Sequence, residues 1–419
     1  MTSTRRATSV ALGAALAVTL GGVAALPATA AEAVPRTEKA SIAPDGTDGN
    51  AASGGPSLSA DGRRLAFVSS ADNLVAGDTD GAADAFVRDL KTGTTRLAST
   101  AADGGSVDDV ALSGNGRYLA FGATDGDGRS HIWVKDLKSG ALQRIEDTVD
   151  TGYDAGRQPA ISADGRYVAF VAQQSGLAEG EDRWGRVYRV DRTSGQAVRI
   201  SQIPAAGDRK TAAAHPSISA DGKRVGYRFF VPHPASGDWS DAYVRDVPSG
   251  ELFHADRAPD RLKSDGQTES PQVSADGRYA VFGSLDSQLT PGDTNKGHNV
   301  FVRDLKTGEL RRIDAADPAA FTAHPQLSAD SRYLAFVSAD PGDTDRTTRA
   351  YVRDLRTGRT VLASPDAEGG PNDQSVSAPV IDRHGRTVAF GSSSPDLVPG
   401  DTYDTSHVYV RHMKRPTAS

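Results

Sequence analysis

Cysteine is absent from the 419 residues, and methionine and tryptophan occur only two and three times. Without disulfides, stability has to come from core burial, metal ions or closure of the chain on itself. A lipid-modified secretion signal is excluded as well, because that chemistry needs a cysteine at the cleavage site. Beyond the first thirty residues no apolar run approaches membrane-spanning length, so no membrane insertion is expected. Helical periodicity is missing throughout, which argues against helical and α/β folds. Cationic excess is missing too: 47 Lys and Arg face 54 Asp and Glu, a formal net charge of −7. That balance disfavours nucleic acid as a partner. Neither a Gly-x-Ser-x-Gly nucleophile elbow nor a His-Glu-x-x-His metal sequence occurs.

Residues 1–30 read as a signal peptide. Arg5 and Arg6 supply the positive start, Ala7 to Leu26 form a small-residue apolar stretch, and Ala28-Thr29-Ala30 offers a cleavage site. Cleavage after Ala31-Glu32-Ala33 is the alternative. The arginine pair hints at the twin-arginine route, although Thr8-Ser9 stands where that signal wants apolar residues. The expectation is a secreted, soluble protein. Residues 1–30 hold two arginines and no acid, so their removal takes the formal charge from −7 to −9.

What is present in abundance is one repeated unit. Its clearest mark is a turn followed by an apolar strand: Ser59-Ala-Asp-Gly-Arg63, Ser113-Gly-Asn-Gly-Arg117, Ser162-Ala-Asp-Gly-Arg166, Ser219-Ala-Asp-Gly-Lys223, Ser274-Ala-Asp-Gly-Arg278, Ser328-Ala-Asp-Ser-Arg332 and the degenerate Asp382-Arg-His-Gly-Arg386. Gly62 to Gly385 spans 323 residues over six intervals, a mean of 53.8, so seven units occupy nearly all of the chain after residue 30. Each unit carries four strand-like segments, here a to d. In the first, Ser57 to Ser59 is strand a, Leu65 to Val68 strand b, Ala85 to Val87 strand c and Thr95 to Ala98 strand d. Strand b is continuously apolar, as in a sheet buried on both faces.

A second mark, Asp-x-x-Ser/Thr-Gly, lies between strands c and d at Asp89, Asp136, Asp191, Asp246, Asp304 and Asp354. The seventh unit lacks it and runs from His407-Val-Tyr-Val-Arg411 into the tail. Thr37 to Ile42 is expected to supply the missing strand. The fold expected is therefore all-β: a single seven-bladed β-propeller of four-stranded antiparallel blades over 31–414, closed by an N-terminal strand that completes the last blade. Residues 415–419 are expected to be a disordered tail.

The runs Ser-x-Asp-Gly-Arg-x-Leu-Ala-Phe and Phe-Val-Arg-Asp-Leu-x-Thr-Gly resemble the TolB-type, WD-like β-propeller repeat, and the resemblance covers all seven units. It implies a propeller and, often, a protein-binding role. No counterpart of the domain that precedes the propeller in TolB itself is expected here.

In a propeller the a–b and c–d hairpins share one face, and the b–c and d–a loops share the other. Here the first set is short and uniform. The second varies: the strand b and c aromatics are 19 residues apart at Phe67 and Phe86, 12 at Phe121 and Trp133, and 16 at Tyr227 and Tyr243. Varied loops on a rigid scaffold are where binding concentrates. Those loops are also acidic, with Asp72, Asp125, Asp286, Asp343 and Asp401 among their residues.

Three site expectations follow. Asp78, Asp80 and Asp84 have the D-x-D-G-x-x-D spacing that can converge oxygens on calcium. Against that stands simple turn chemistry, since Gly-Asp-Thr recurs in later units without a full ligand set. The residue before the proline of each strand a should ring the channel mouth. Asp109, Gln158, His215 and His324 are the polar candidates, able to bind a ligand or to share a transition metal. The Arg-Asp pairs such as Arg88-Asp89 and Arg303-Asp304 repeat around the ring, so they read as ion pairs or turn caps rather than a converging catalytic array. The function expected is a monomeric, non-catalytic binding module. It would recognise a protein or an envelope or matrix polymer through its acidic loop face, with possible calcium as the one cofactor. A propeller enzyme of polysaccharide lyase or hydrolase type, with a metal at the channel mouth, is the alternative.

Overall fold

The structure, a computed structural model, describes residues 35–78, 81–99, 105–125, 128–146, 155–173, 185–201, 212–231, 239–257, 267–291, 297–315, 317–339, 341–343, 345–401 and 405–413. Strands dominate them: seven four-stranded antiparallel sheets, six in simple a–b–c–d order. Their strands fall within 53–97, 106–144, 155–199, 212–254, 272–313, 321–362 and 380–412. Each strand a touches the strands a of the blades on either side, all the way round from the seventh blade to the first. The strands a therefore line a central channel, and the chain is a seven-bladed β-propeller.

Alternation of large and small side chains in strand b explains why the blades stack. Phe67, Phe121, Phe170, Tyr227, Phe282, Phe336 and Phe390 occupy one repeat position and are fully buried. The rings of Phe67 and Phe86, Phe282 and Phe301, and Phe390 and Tyr409 stack across strands b and c at centroid distances of 5.7, 5.7 and 6.0 Å. This bulky face meets the small face of the preceding blade. Phe121 packs on Ala66 and Ala85, and Phe67 packs on Ala389 and Val408. The core is thus seven inter-blade layers, and each buried Phe contributes about 1.5–3 kcal/mol.

The repeated turn is held by its own polar atoms. Ser59 Oγ donates to Asp61 Oδ1 at 2.6 Å and accepts from Arg64 N at 2.9 Å, while Arg63 N donates to Asp61 at 3.0 Å. The same bonds recur at Ser162, Ser219, Ser274 and Ser328. Gly62 sits at φ 69°, the left-handed region that glycine enters most readily. In the seventh blade Asp382 replaces the serine and accepts from Arg386 N and Thr387 N. Neighbouring turns are bonded to each other, including Arg383 N to Ala60 O across the ring closure.

Closure uses the N-terminal strand, as expected, but with different bounds. Arg36–Lys39 pairs antiparallel with His407–His412 in the seventh sheet, Lys39 opposite Tyr409. The strand ends before Ile42 because Ser41 turns its hydroxyl onto Val408 N–H at 3.1 Å, and Ile42 bridges Asp48 instead. No helix among the described residues is long and apolar enough to cross a membrane.

Candidate functional site

Strand a carries a bulge where it reaches the loop face. The register with strand b slips between Gly54 and Ser57, Arg157 and Ala160, Ala214 and Ser217, and Ala323 and Gln326. Inside each slip, the residue before the proline adopts a left-handed backbone: Gly55 at φ 58°, Gln158 at 55°, His215 at 48° and His324 at 50°. A side chain in that conformation costs of order 1–3 kcal/mol, and such strain persists only where surrounding structure enforces it. One blade uses glycine at this position; three keep a large polar residue and accept the cost.

The structure brings two of the sequence candidates together. His215 N donates to Gln158 Oε1 at 2.8 Å, and the two Nε2 atoms lie 3.4 Å apart. His324 pairs with a residue that the sequence did not single out. Glu269 accepts from His324 N at 3.0 Å and lies 3.1 Å from His324 Nδ1. Gly283 makes room for this carboxylate, since a Cβ there would stand 2.5 Å from Glu269 Oε2. His215, Arg228, Glu269, Ser270 and His324 line one cavity of about 420 Å³ spanning blades four to seven. Ser270 Oγ and Arg228 Nε are buried in this region without a hydrogen-bond partner. Arg228 was also missed, yet a signal exists. It follows the strand-b aromatic, where the other six blades have Val68, Gly122, Val171, Gly283, Val337 and Gly391.

Electrostatics at the mouth follow from enclosure. His215 remains open to the channel, but the protein walls around it, followed by the charges of Arg228 and Arg157, hold its pKa below the ordinary histidine value. Enclosure likewise lowers Arg228, with Glu269 opposing. Asp109, in blade two, is raised by enclosure first and by Asp108 second, with Arg157 pulling the other way. The mouth thus offers an imidazole, a guanidinium and a carboxylate within one wall. Among the described residues, the three metal-type ligands that gather within 4.8 Å of one another lie elsewhere, in blade four.

No known family profile matches the chain, and no curated protein does. Solved structures do. An oligogalacturonate lyase in complex with manganese superposes over 92% of this chain and 98% of its own, at a TM-score of 0.59 and 15% identity. The β-propeller domain of the Trilobed protease from Pyrococcus furiosus covers 82% of this chain and 91% of its own, with a TM-score of 0.54 and 13% identity. TolB from Acinetobacter baumannii covers 86% of this chain and 79% of its own at a TM-score of 0.42 and 16% identity, too loose a superposition to argue from. At these identities the likeness is one of fold.

Several of the described loop acids are spent inside the protein. Asp78 and Asp286 are buried, and the Asp401 side chain is 1% exposed and bound by Lys39 and Tyr409. Asp286 and Asp343 cap turn N–H groups at Gln288 and Asp345. Of the calcium candidates, Asp84 accepts the Ser99 hydroxyl, and Asp80 lies outside the described residues. The repeated c–d aspartates cap their own turns. Asp304 accepts from Lys306 N at 2.9 Å and from Arg278 Nη2 at 2.7 Å. The partner arginine comes from the a–b turn, not from the adjacent Arg303.

Proposed function

We propose that this chain is an exported, TolB-type propeller that binds an extracellular polysaccharide segment at its channel mouth without transforming it. The carrying observation is the cavity of about 420 Å³ whose wall combines His215, Arg228, Glu269, Ser270 and His324. Two of its polar groups, Ser270 Oγ and Arg228 Nε, lack partners, and a buried polar atom left unpaired costs about 1–3 kcal/mol until a ligand satisfies it. A sugar chain supplies hydroxyls for such groups, and an acidic sugar supplies a carboxylate that a guanidinium binds in bidentate fashion. Few aromatic surfaces and many directional hydrogen-bonding groups suit a hydrated polymer better than an apolar one.

The decisive test is calorimetric titration of the purified protein with oligogalacturonate and with a neutral oligosaccharide of equal length. Binding of the acidic sugar is expected, weakened at least about tenfold by Arg228→Met, as loss of a charge-assisted bond worth about 1.5–3 kcal/mol requires. His215→Gly should weaken binding as well while leaving thermal stability equal or higher, because glycine relieves the left-handed strain. No affinity for either sugar, with capture of a protein instead, would overturn the polysaccharide reading.

A lyase reading is favoured by one observation: His215 lines the same cavity wall as Arg228, the placement a proton acceptor needs next to a carboxylate bound by the guanidinium. The structural neighbour bearing a lyase name makes it worth testing. Appearance of unsaturated product in the same titration would replace binding with catalysis.

A further inference from the structure

In blade four, strand c spans Trp239–Asp246 and strand d Leu252–His254. Tyr243 stands opposite His254, so Asp241, two residues before Tyr243, and Asp256, two residues after His254, extend that pair towards the loop face. His254 Nε2 lies 3.1 Å from Asp256 Oδ1 and 3.8 Å from Asp241 Oδ1. The Tyr243 ring stacks on the imidazole at 4.5 Å and fixes its plane.

Comparison with the other blades shows what Asp256 does and what it leaves over. At this position six of the seven blades offer an oxygen to the strand-c N–H; in blade five Thr322 of the next blade does so instead. Ser99 receives Ala85 N at 3.0 Å, Ser201 receives Val187 N at 3.0 Å, and Ser364 receives Ala350 N at 2.9 Å. In blade four, Asp256 Oδ1 receives Ala242 N at 3.1 Å. A serine would serve that bond. The aspartate adds a second oxygen and a charge at 0% exposure, and its Oδ2 has no hydrogen-bond partner. Burying a carboxylate with an unused oxygen is costly unless a cation receives it.

We infer that Asp241, His254 and Asp256 form a binding site for a divalent transition metal, of which Zn²⁺ is the best match. Zinc holds imidazole nitrogen at about 2.0–2.1 Å and carboxylate oxygen at about 2.0–2.2 Å in tetrahedral geometry, which puts neighbouring donors roughly 3.3 Å apart. The observed separations of 3.1 and 3.8 Å bracket that edge. One imidazole with two carboxylates suits zinc better than calcium, which takes six to eight oxygens. Three protein ligands leave the fourth position to water. The metal would tie strand c to the segment after strand d, and so stabilise the folded state by mass action.

The test is equilibrium dialysis of the signal-free protein against Zn²⁺, with bound metal read by elemental analysis and melting followed with zinc and with EDTA. The parent should bind one zinc and melt higher with it. Asp256→Ser restores the hydroxyl found in four other blades, so its melt in EDTA should match the parent's. Its zinc affinity should fall by more than the roughly 10–100-fold typical of losing a supporting second-shell group. His215→Gly and His324→Gly should keep the metal. Sub-stoichiometric zinc in the parent, unchanged zinc in Asp256→Ser, or loss of zinc in the channel-mouth variants would each overturn the assignment.

Discussion

At Lys39 a single ammonium group joins the two ends of the chain. Its side chain is 6% exposed and lies 2.5 Å from Asp401, itself 1% exposed, and 2.8 Å from Asp48. Tyr409 donates to the other Asp401 oxygen at 2.6 Å. Removing one partner of a buried pair strands the other charge, at a cost of about 3–5 kcal/mol. Lys39→Met keeps the apolar stem and should lose about that much in denaturant unfolding, with part recovered by adding Asp401→Asn. An unchanged unfolding midpoint would mean the pair contributes nothing. This contact was hidden in the sequence, because 362 residues separate the partners. Arg228 was hidden differently: it breaks the strand-b pattern, but an odd residue in a repeat does not say which neighbours it will meet.

At the scale of the element, the turns were legible because their chemistry is local. Ser-x-Asp-Gly-Arg contains the donor, the acceptor and the left-handed residue of one hairpin within five positions. The pairing of its arginine with the c–d aspartate was not legible, since it depends on the register of strands b and c. That pairing has a pH signature. Hydrogen bonding from Arg166, Arg278 and Arg332, ahead of every other cause, brings Asp191, Asp304 and Asp354 down to about 2. An unfolded aspartate titrates near 3.9. With folded values depressed, the folded state binds fewer protons, so the contribution is full above about pH 4 and disappears as pH falls through about 2. The stability difference between the parent and Asp304→Asn should therefore be constant from pH 7 to 5 and shrink towards zero between about pH 4 and 2. A difference that persists undiminished at pH 2 would assign the effect to packing rather than to charge. Urea unfolding at matched ionic strength measures it.

For the whole molecule, seven copies of one pattern made the architecture legible, while the site was legible only in part, through His215 and His324. The proposed site lies where blades depart from the repeat, as at His215, His324, Glu269 and Arg228, and a departure has no second copy to interpret it. Closure is the property that belongs to the ring alone. A blade packs only on its two neighbours, so the ring is as secure as its weakest seam, and that seam is the one sheet built from both chain ends. Deleting residues 31–43 removes Arg36–Lys39 together with the Ser41 hydroxyl that receives Val408 N–H. His407–His412 then becomes an edge strand, with Val408, Tyr409 and Val410 uncovered and its backbone N–H and C=O groups open to pairing with a second chain. The truncated protein is expected to melt broadly and at lower temperature, and to sediment as oligomers, whereas the full chain is expected to melt sharply as a monomer. Adding a synthetic peptide of residues 31–43 should restore the sharp transition in a concentration-dependent way. A truncated monomer with an unaltered melt would show that six complete blades hold the seventh without its outer strand.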